Sequence, residues 1–236
     1  MALMTLAACQ GTSASDSTPV EGEAAPPAAA STEAPPETVS VPEEGSDEDA
    51  GEGYTGTVLF ITGSWFDGYE YTGVRRYMEE AGYRVLVASD TPEPLQSTGS
   101  LFVIERDMPL EAVVTADYDA IILLQNYTLT SRPNSYPEGS AIVDRIVREA
   151  VEQGKVVAAS TESVMALAHA GVLDGVAVTS ATMNCYGALA SVYDIPCTGA
   201  IVERDGLIVT ASGQEFFGVF AITILEALEA RSQPSE

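Results

Sequence analysis

Three features of the sequence predict an α/β fold in which a doubly wound, mostly parallel sheet is sandwiched by helices. Short runs of consecutive apolar residues recur along the chain, as in VLFIT, DAIILL and KVVAAS, which is the pattern of strands buried on both faces. Between them lie stretches with apolar residues at helical spacing. Glycines close several of these stretches, at Gly82, Gly154 and Gly171. Regular alternation of the two kinds of element points to strand–helix–strand crossovers rather than to hairpins.

Taken in order, the run 55–62 opens the domain as a strand. GYEYTGVRRYMEEAGY follows as a helix with Val74, Tyr77, Met78 and Ala81 on one face. RVLVAS (84–89) is the second strand, LFVIE (101–105) a weaker one, and 119–124 another buried strand. The loop NYTLTSRPNSYPEGS leads to the helix AIVDRIVREAVEQG, whose stripe is Ile142, Ile146, Ala150 and Val151. KVVAAS and VMALAHAG form the next strand and helix, and GVAVTS (175–180) reads as a further strand. Two β runs around Arg204, Asp205 and Gly206 predict a hairpin, and EFFGVFAITILEALEA closes the fold as an apolar helix.

The first 53 residues differ in kind, being rich in Ala, Pro, Ser, Thr, Glu and Asp, with no Lys or Arg. Such a segment cannot bury enough apolar surface to offset its ordering entropy, so 10–53 is expected as a disordered acidic linker before a domain at 54–231 and a short tail at 232–236. The formal net charge is −25; eleven of the 35 acidic residues lie in the linker, which leaves −14 on the remainder. Both parts repel phosphate backbones, and without a basic patch a nucleic-acid partner is excluded. At the N-terminus, Leu6-Ala7-Ala8-Cys9 resembles the lipobox of bacterial lipoproteins. Residues 1–9 are then the remnant of a signal beginning further upstream, with Cys9 lipidated. The chain would be exported and anchored to the outer face of a bacterial cell membrane, with the linker as spacer. Cys185 and Cys197 remain; an exported compartment permits a bridge between them, and two inert buried thiols are the simpler expectation.

Three blocks carry a resemblance to a known family: VLFITGSWFDGYEYTGVRRYMEEAGYRVLVAS, ADYDAIILL, and GKVVAASTESVMALAHAGVLDGVAVTS. Together with the closing hairpin and helix they resemble the ThiJ/PfpI family, the parkinsonism-associated deglycase superfamily related to class I glutamine amidotransferase domains. The resemblance implies a flavodoxin-like fold and, commonly, a homodimer. It also implies a cysteine on the turn after KVVAAS, often followed by histidine, a glutamate from the first loop beside the sulfur, and a Gly-Gly pair near an oxyanion site. In this sequence the glutamate is Glu70, the cysteine position holds Thr161, the histidine position Glu162, and the glycine pair Gln125 and Asn126.

A threonine hydroxyl needs an adjacent base to act as a nucleophile. Glu70 serves only if burial or a neighbour such as Glu162 raises its pKa. A tight strand-to-helix turn also asks for positive φ, which a β-branched residue tolerates poorly. His169 lies about two helical turns beyond Thr161 and is expected to pack or face water. Cys185 could stand as a displaced thiol, though no evident cation lowers its pKa. Asp67, Glu70 and Glu162 could converge on a hard cation, but Asp67 reads better as a helix cap, so no metal and no cofactor are expected. Gln125, Asn126, Ser160, Ser163, Trp65, Phe66 and Asp67 are the candidate binding residues, the aromatics either walling a pocket or packing beneath the first helix. The leading expectation is a binding module for a small molecule or a protein. Its rival is a divergent hydrolase or aldehyde-handling enzyme using Thr161, Glu70 and Glu162.

Overall fold

A computed structural model describes residues 53–100, 102–125 and 138–232. The expectations for Cys9, for the linker up to residue 52, for Asn126 and for the last four residues lie outside these. In chain order the elements are β1 (Gly56–Ile61), α1 (Gly68–Glu80), β2 (Tyr83–Ser89), β3 (Leu95–Gln96), β4 (Val103–Ile104), β5 (Met108–Pro109), β6 (Ala120–Leu123), α2 (Glu138–Glu152), β7 (Val156–Ser160), α3 (Val164–Ala170), α4 (Thr182–Asn184), α5 (Ala190–Val192), β8 (Val202–Asp205), β9 (Ile208–Ala211) and α6 (Phe217–Ser232). The main sheet runs β5-β2-β1-β6-β7-β9-β8, and every neighbouring pair is parallel except β8 with β9.

Alternate residues of each central strand enter different cores, which is why the strands read as unbroken apolar runs. Val58 and Phe60 of β1 face Val74 and Met78 of α1 and Phe220 and Ile224 of α6. Leu59 and Ile61 face Val143, Ile146 and Val147 of α2 and Leu167 of α3. Each such side chain, fully buried, contributes about 1.5–3 kcal/mol. On the first of these faces α1 and α6 approach closely, because Gly73 leaves room for the Phe217 ring; any Cβ there would overlap it. At the amino ends of the strands Asp119 binds the Thr57 N–H (3.0 Å) and Arg231 (2.9 Å), and Arg231 also reaches the Gly154 carbonyl at 2.8 Å.

Several expectations change. The segment 175–180 does not join the sheet: β9 occupies the place beside β7, Thr179 donates its N–H to the Thr210 side chain of β9 (2.9 Å), and Val178 makes only an isolated bridge to Cys197. The weak strand at 101–105 becomes β4, paired only with β3 in a small separate hairpin. α2 begins at Glu138, and its buried stripe is Val143, Ile146, Val147 and Ala150, while Val151 is exposed. On α1, Tyr71 is buried in place of Ala81. Among the described residues no helix is long and apolar enough to cross a membrane.

Cys185 and Cys197 form a disulfide, against the expectation of two thiols. Two backbone contacts bring the segments together: Ile195 donates to the Leu189 carbonyl (2.9 Å) and Thr198 to the Val178 carbonyl (2.9 Å). Cys185 opens a π-helical turn (Cys185–Leu189) between α4 and α5, and its Cα lies 5.5 Å from that of Cys197. The bridge closes a short loop of sequence separation 12, for which chain entropy gives about 3 kcal/mol of stabilisation. Denaturant unfolding of Cys197→Ser, or of the parent protein under a dithiol reductant, is expected to show a loss of that size.

Candidate functional site

The strand order reverses between β1 and β6: the chain after β1 goes to β2 on one side, while β6 lies on the other. The carboxyl ends of strands at such a reversal border the crevice where α/β sheets bind ligands. Three segments meet there: the loop after β1, Leu124 and Gln125 after β6, and the turn after β7.

The β3–β4 hairpin braces the first loop. Trp65, at φ 70, donates its N–H to the Gln96 carbonyl (2.6 Å), and the Thr98 N–H binds the Phe66 carbonyl (2.8 Å). Phe66 is fully buried, with its ring against Tyr71 (5.3 Å between centroids) and Phe102 (5.7 Å), so it is core and not a ligand contact. Tyr71 belongs to the same aromatic cluster, whereas Trp65 and Tyr69 are exposed. Asp67 accepts the Glu70 N–H at 2.8 Å and caps α1, which engages it as a structural residue.

Glu70, in the first turn of α1, is completely buried. Its Oε2 accepts the Gln125 N–H at 2.8 Å, and Oε1 has no partner. Burial away from water pushes its pKa up to about 7, helped by the negative charges of Asp67 and Glu162 and opposed by Ser160 and the Gln125 N–H. The nearby Ser160 hydroxyl tempers the shift without making a hydrogen bond of standard geometry.

After β7 the chain turns sharply through a 3-10 turn (Thr161–Ser163) into α3. Thr161 has φ 48, so this β-branched residue does adopt the left-handed conformation it tolerates poorly. Its carbonyl accepts from Ser180 Oγ (2.6 Å) and Asn184 Nδ2 (3.4 Å), and Asn184 Nδ2 also reaches Ser180 Oγ at 3.2 Å. Ser163 Oγ donates to the Leu124 carbonyl at 2.6 Å and ties the turn to the end of β6. Thr161 is only 2% exposed, and its hydroxyl has no hydrogen-bond partner. Ser160 Oγ and Glu162 Oε2 are likewise buried and unpaired, so four orphaned oxygens, with Glu70 Oε1, belong to this corner. Buried polar atoms are normally satisfied by protein, water or ligand, so the cluster marks the crevice as a polar site.

Ser180 and Asn184 escaped the sequence reading. Their only trace there is an i, i+4 pair of small polar residues, a spacing with many other uses. The Cys185 sulfur is held in the disulfide and is not a displaced nucleophile. His169 of α3 pairs through Nδ1 with the buried Asp144 of α2 (2.8 Å). Among the described residues no three His, Cys, Asp or Glu side chains are grouped to hold a metal. Two concavities, of about 730 and 530 Å³, flank the disulfide, and Ser180 lines the smaller.

A parallel α/β sheet with a strained strand-to-helix turn at its switch point, and a buried glutamate beside that turn, defines a class of fold built around a nucleophile elbow. The model of the DJ-1/PfpI family matches residues 56–227, and the chain belongs to that family. Among solved structures, a ThiJ/PfpI domain protein from Brachyspira murdochii aligns with a TM-score of 0.67 and 21% identity, over 75% of this chain and 99% of that one. Oxidized DJ-1 from Toxoplasma gondii aligns with a TM-score of 0.62 and 21% identity, over 74% and 91%. Drosophila melanogaster DJ-1beta gives 0.58 and 20% identity, over 75% and 97%. These likenesses are of fold. No match is found among curated proteins.

Two outcomes follow from the strain and the burial. Between pH about 4.5 and about 7 the unfolded chain has lost the Glu70 proton while the folded chain still holds it, so stability falls as pH rises through that window. Glu70→Gln keeps an acceptor for the Gln125 N–H and removes this dependence. Unfolding titrations from pH 4 to 8.5 should show the variant gaining on the parent by roughly 3 kcal/mol across the window, with a flat difference above it. Thr161→Gly relieves the left-handed strain and is expected to raise stability by about 1 kcal/mol in the same measurement.

Proposed function

We propose that this chain is a DJ-1/PfpI-family domain without the family's cysteine chemistry, a pseudoenzyme that binds a small molecule or a protein. It would be exported and held to the outer face of a bacterial membrane through a lipid on Cys9, with the acidic linker as spacer, and would pair as a homodimer as the family resemblance suggests. The observation that carries the loss of chemistry is at Thr161. The residue at the elbow is a threonine whose buried hydroxyl is bonded to no base, while Glu70 directs one oxygen to the Gln125 N–H instead. An unactivated hydroxyl is a weak nucleophile. The Cys185–Cys197 disulfide supports export, since such bonds persist in oxidising compartments.

One observation favours a second reading, a hydrolase or aldehyde-handling enzyme using Thr161 with Glu70 and Glu162. A carboxyl whose pKa is raised to about 7 is suited to general acid–base work near neutrality. Turnover assays of the full chain with reactive dicarbonyl aldehydes, activated esters and peptides, beside Thr161→Ala and Glu70→Gln, decide between the two. The binding reading expects the parent and both variants to be equally inactive; turnover that either substitution abolishes overturns it. For the anchor, mass analysis of the protein from bacterial membranes should find a lipid adduct on Cys9, and a free thiol there removes that part of the proposal.

A further inference from the structure

Two grooves share a wall made by Pro196, Cys197 and Thr198, and they differ in charge. The larger carries Asp174 and Asp194 on its lining. The smaller, about 530 Å³, lies on the Ser180 and Tyr186 side and has no charged residue in its lining. That is unusual for a domain with −14 of net charge, and it makes an ionic ligand a poor fit. The groove's volume falls within the ~300–1,000 Å³ of small-molecule sites.

Its polar groups are hydroxyls of mixed polarity. Thr198 Oγ1 accepts the Ala200 N–H at 3.3 Å, which leaves its own proton to donate. Ser212 Oγ donates to the Ile201 carbonyl at 3.1 Å, which leaves its lone pairs to accept. Thr182 stands exposed at the mouth, and Gly199 keeps the rim low. Tyr186 is 86% exposed, so its ring offers an apolar face edged by a phenol. A neutral wall of donors and acceptors beside a bare aromatic face matches a ring that is apolar on its C–H face and hydroxylated at its edge.

We propose that this groove binds a neutral saccharide, with Tyr186 stacking on the sugar face and Thr182, Thr198 and Ser212 meeting its hydroxyls. The walls are held before any ligand arrives. The disulfide joins α4 and its π-turn to the facing loop, the Thr179 hydroxyl donates to the Ala200 carbonyl at 2.6 Å, and Thr198 is tied to Val178. Rigid walls lower the ordering cost of binding. None of the orphaned oxygens at the elbow belongs to a residue lining this groove, so the proposal does not depend on whether Thr161 is reactive.

Calorimetric titration of the full chain with cellotriose, maltotriose and chitotriose, beside trigalacturonate and glucosamine as charged controls, tests it. At least one neutral sugar is expected to bind, and the charged controls more weakly. Tyr186→Ala should weaken that binding about tenfold or more, Tyr186→Phe should largely keep it, and Ala190→Trp, which intrudes on the groove, should abolish it. Both positions are exposed, so unchanged melting temperatures of the free variants certify their folding. Failure of all three neutral sugars to bind overturns the proposal. So does equal or tighter binding of the charged controls, or binding indifferent to both Tyr186→Ala and Ala190→Trp.

Discussion

The hydrogen bond from the Gln125 N–H to the buried Glu70 carboxyl is the contact on which the crevice depends. β1 and β6 are parallel neighbours registered up to Ile61 and Leu123, and beyond that register β1 no longer pairs with the backbone that follows β6. A buried N–H left open there costs about 1–3 kcal/mol. Glu70 closes it from α1, and Asp67 fixes the start of that helix. One side chain thereby joins α1 to the end of β6 across the point where the strand order reverses. Burial disfavours the charged form of the carboxyl and raises its pKa to about 7, and its second oxygen has no hydrogen-bond partner.

The turn after β7 keeps its shape without help from the side chain at its apex. Left-handed backbone in a β-branched residue costs about 1–2 kcal/mol, and something must hold it. The contacts that do so grip backbone atoms: Ser180 and Asn184 bind the Thr161 carbonyl, and Ser163 binds the Leu124 carbonyl. None involves the Thr161 side chain, so the residue type at the apex is decoupled from the shape of the turn. Asn184 directly precedes Cys185, so the brace behind the elbow is anchored by the disulfide a single residue away.

Much of this architecture was legible in the sequence because the central strands are buried on both faces. Double burial turns VLFI, AIIL and VVAA into apolar runs, and the glycines after α1, α2 and α3 mark where the chain turns back. The same signal misled at 175–180. An apolar run reads alike whether it pairs in a sheet or only lies buried beside one, and the place next to β7 was decided by β9, some thirty residues later. The elbow was legible from its small residues and its position between strand and helix. Its brace was not, because Ser180 and Asn184 act on a carbonyl 19 and 23 positions away through ordinary polar groups. The disulfide hung on a π-helical turn that no local pattern announces. Phe66 looked equally like pocket wall and core until Phe102, on the β3–β4 hairpin side, supplied the ring that buries it.

The elbow and the grooves divide between them what an active site usually unites. The elbow holds strain, a carboxyl titrating near neutrality and unpaired oxygens, yet Thr161 is almost wholly enclosed. The grooves hold open volume, and their shared wall is the disulfide-linked segment at 196–198. Ser180 touches both regions, since it lines the smaller groove and grips the Thr161 carbonyl. The net acidic charge of the chain disfavours the approach of anions. Locally the grooves differ: Asp174 and Asp194 line one, and no charged residue lines the other. The loops around the disulfide thus differ in charge from groove to groove, while the parallel sheet and its elbow form the frame beneath them.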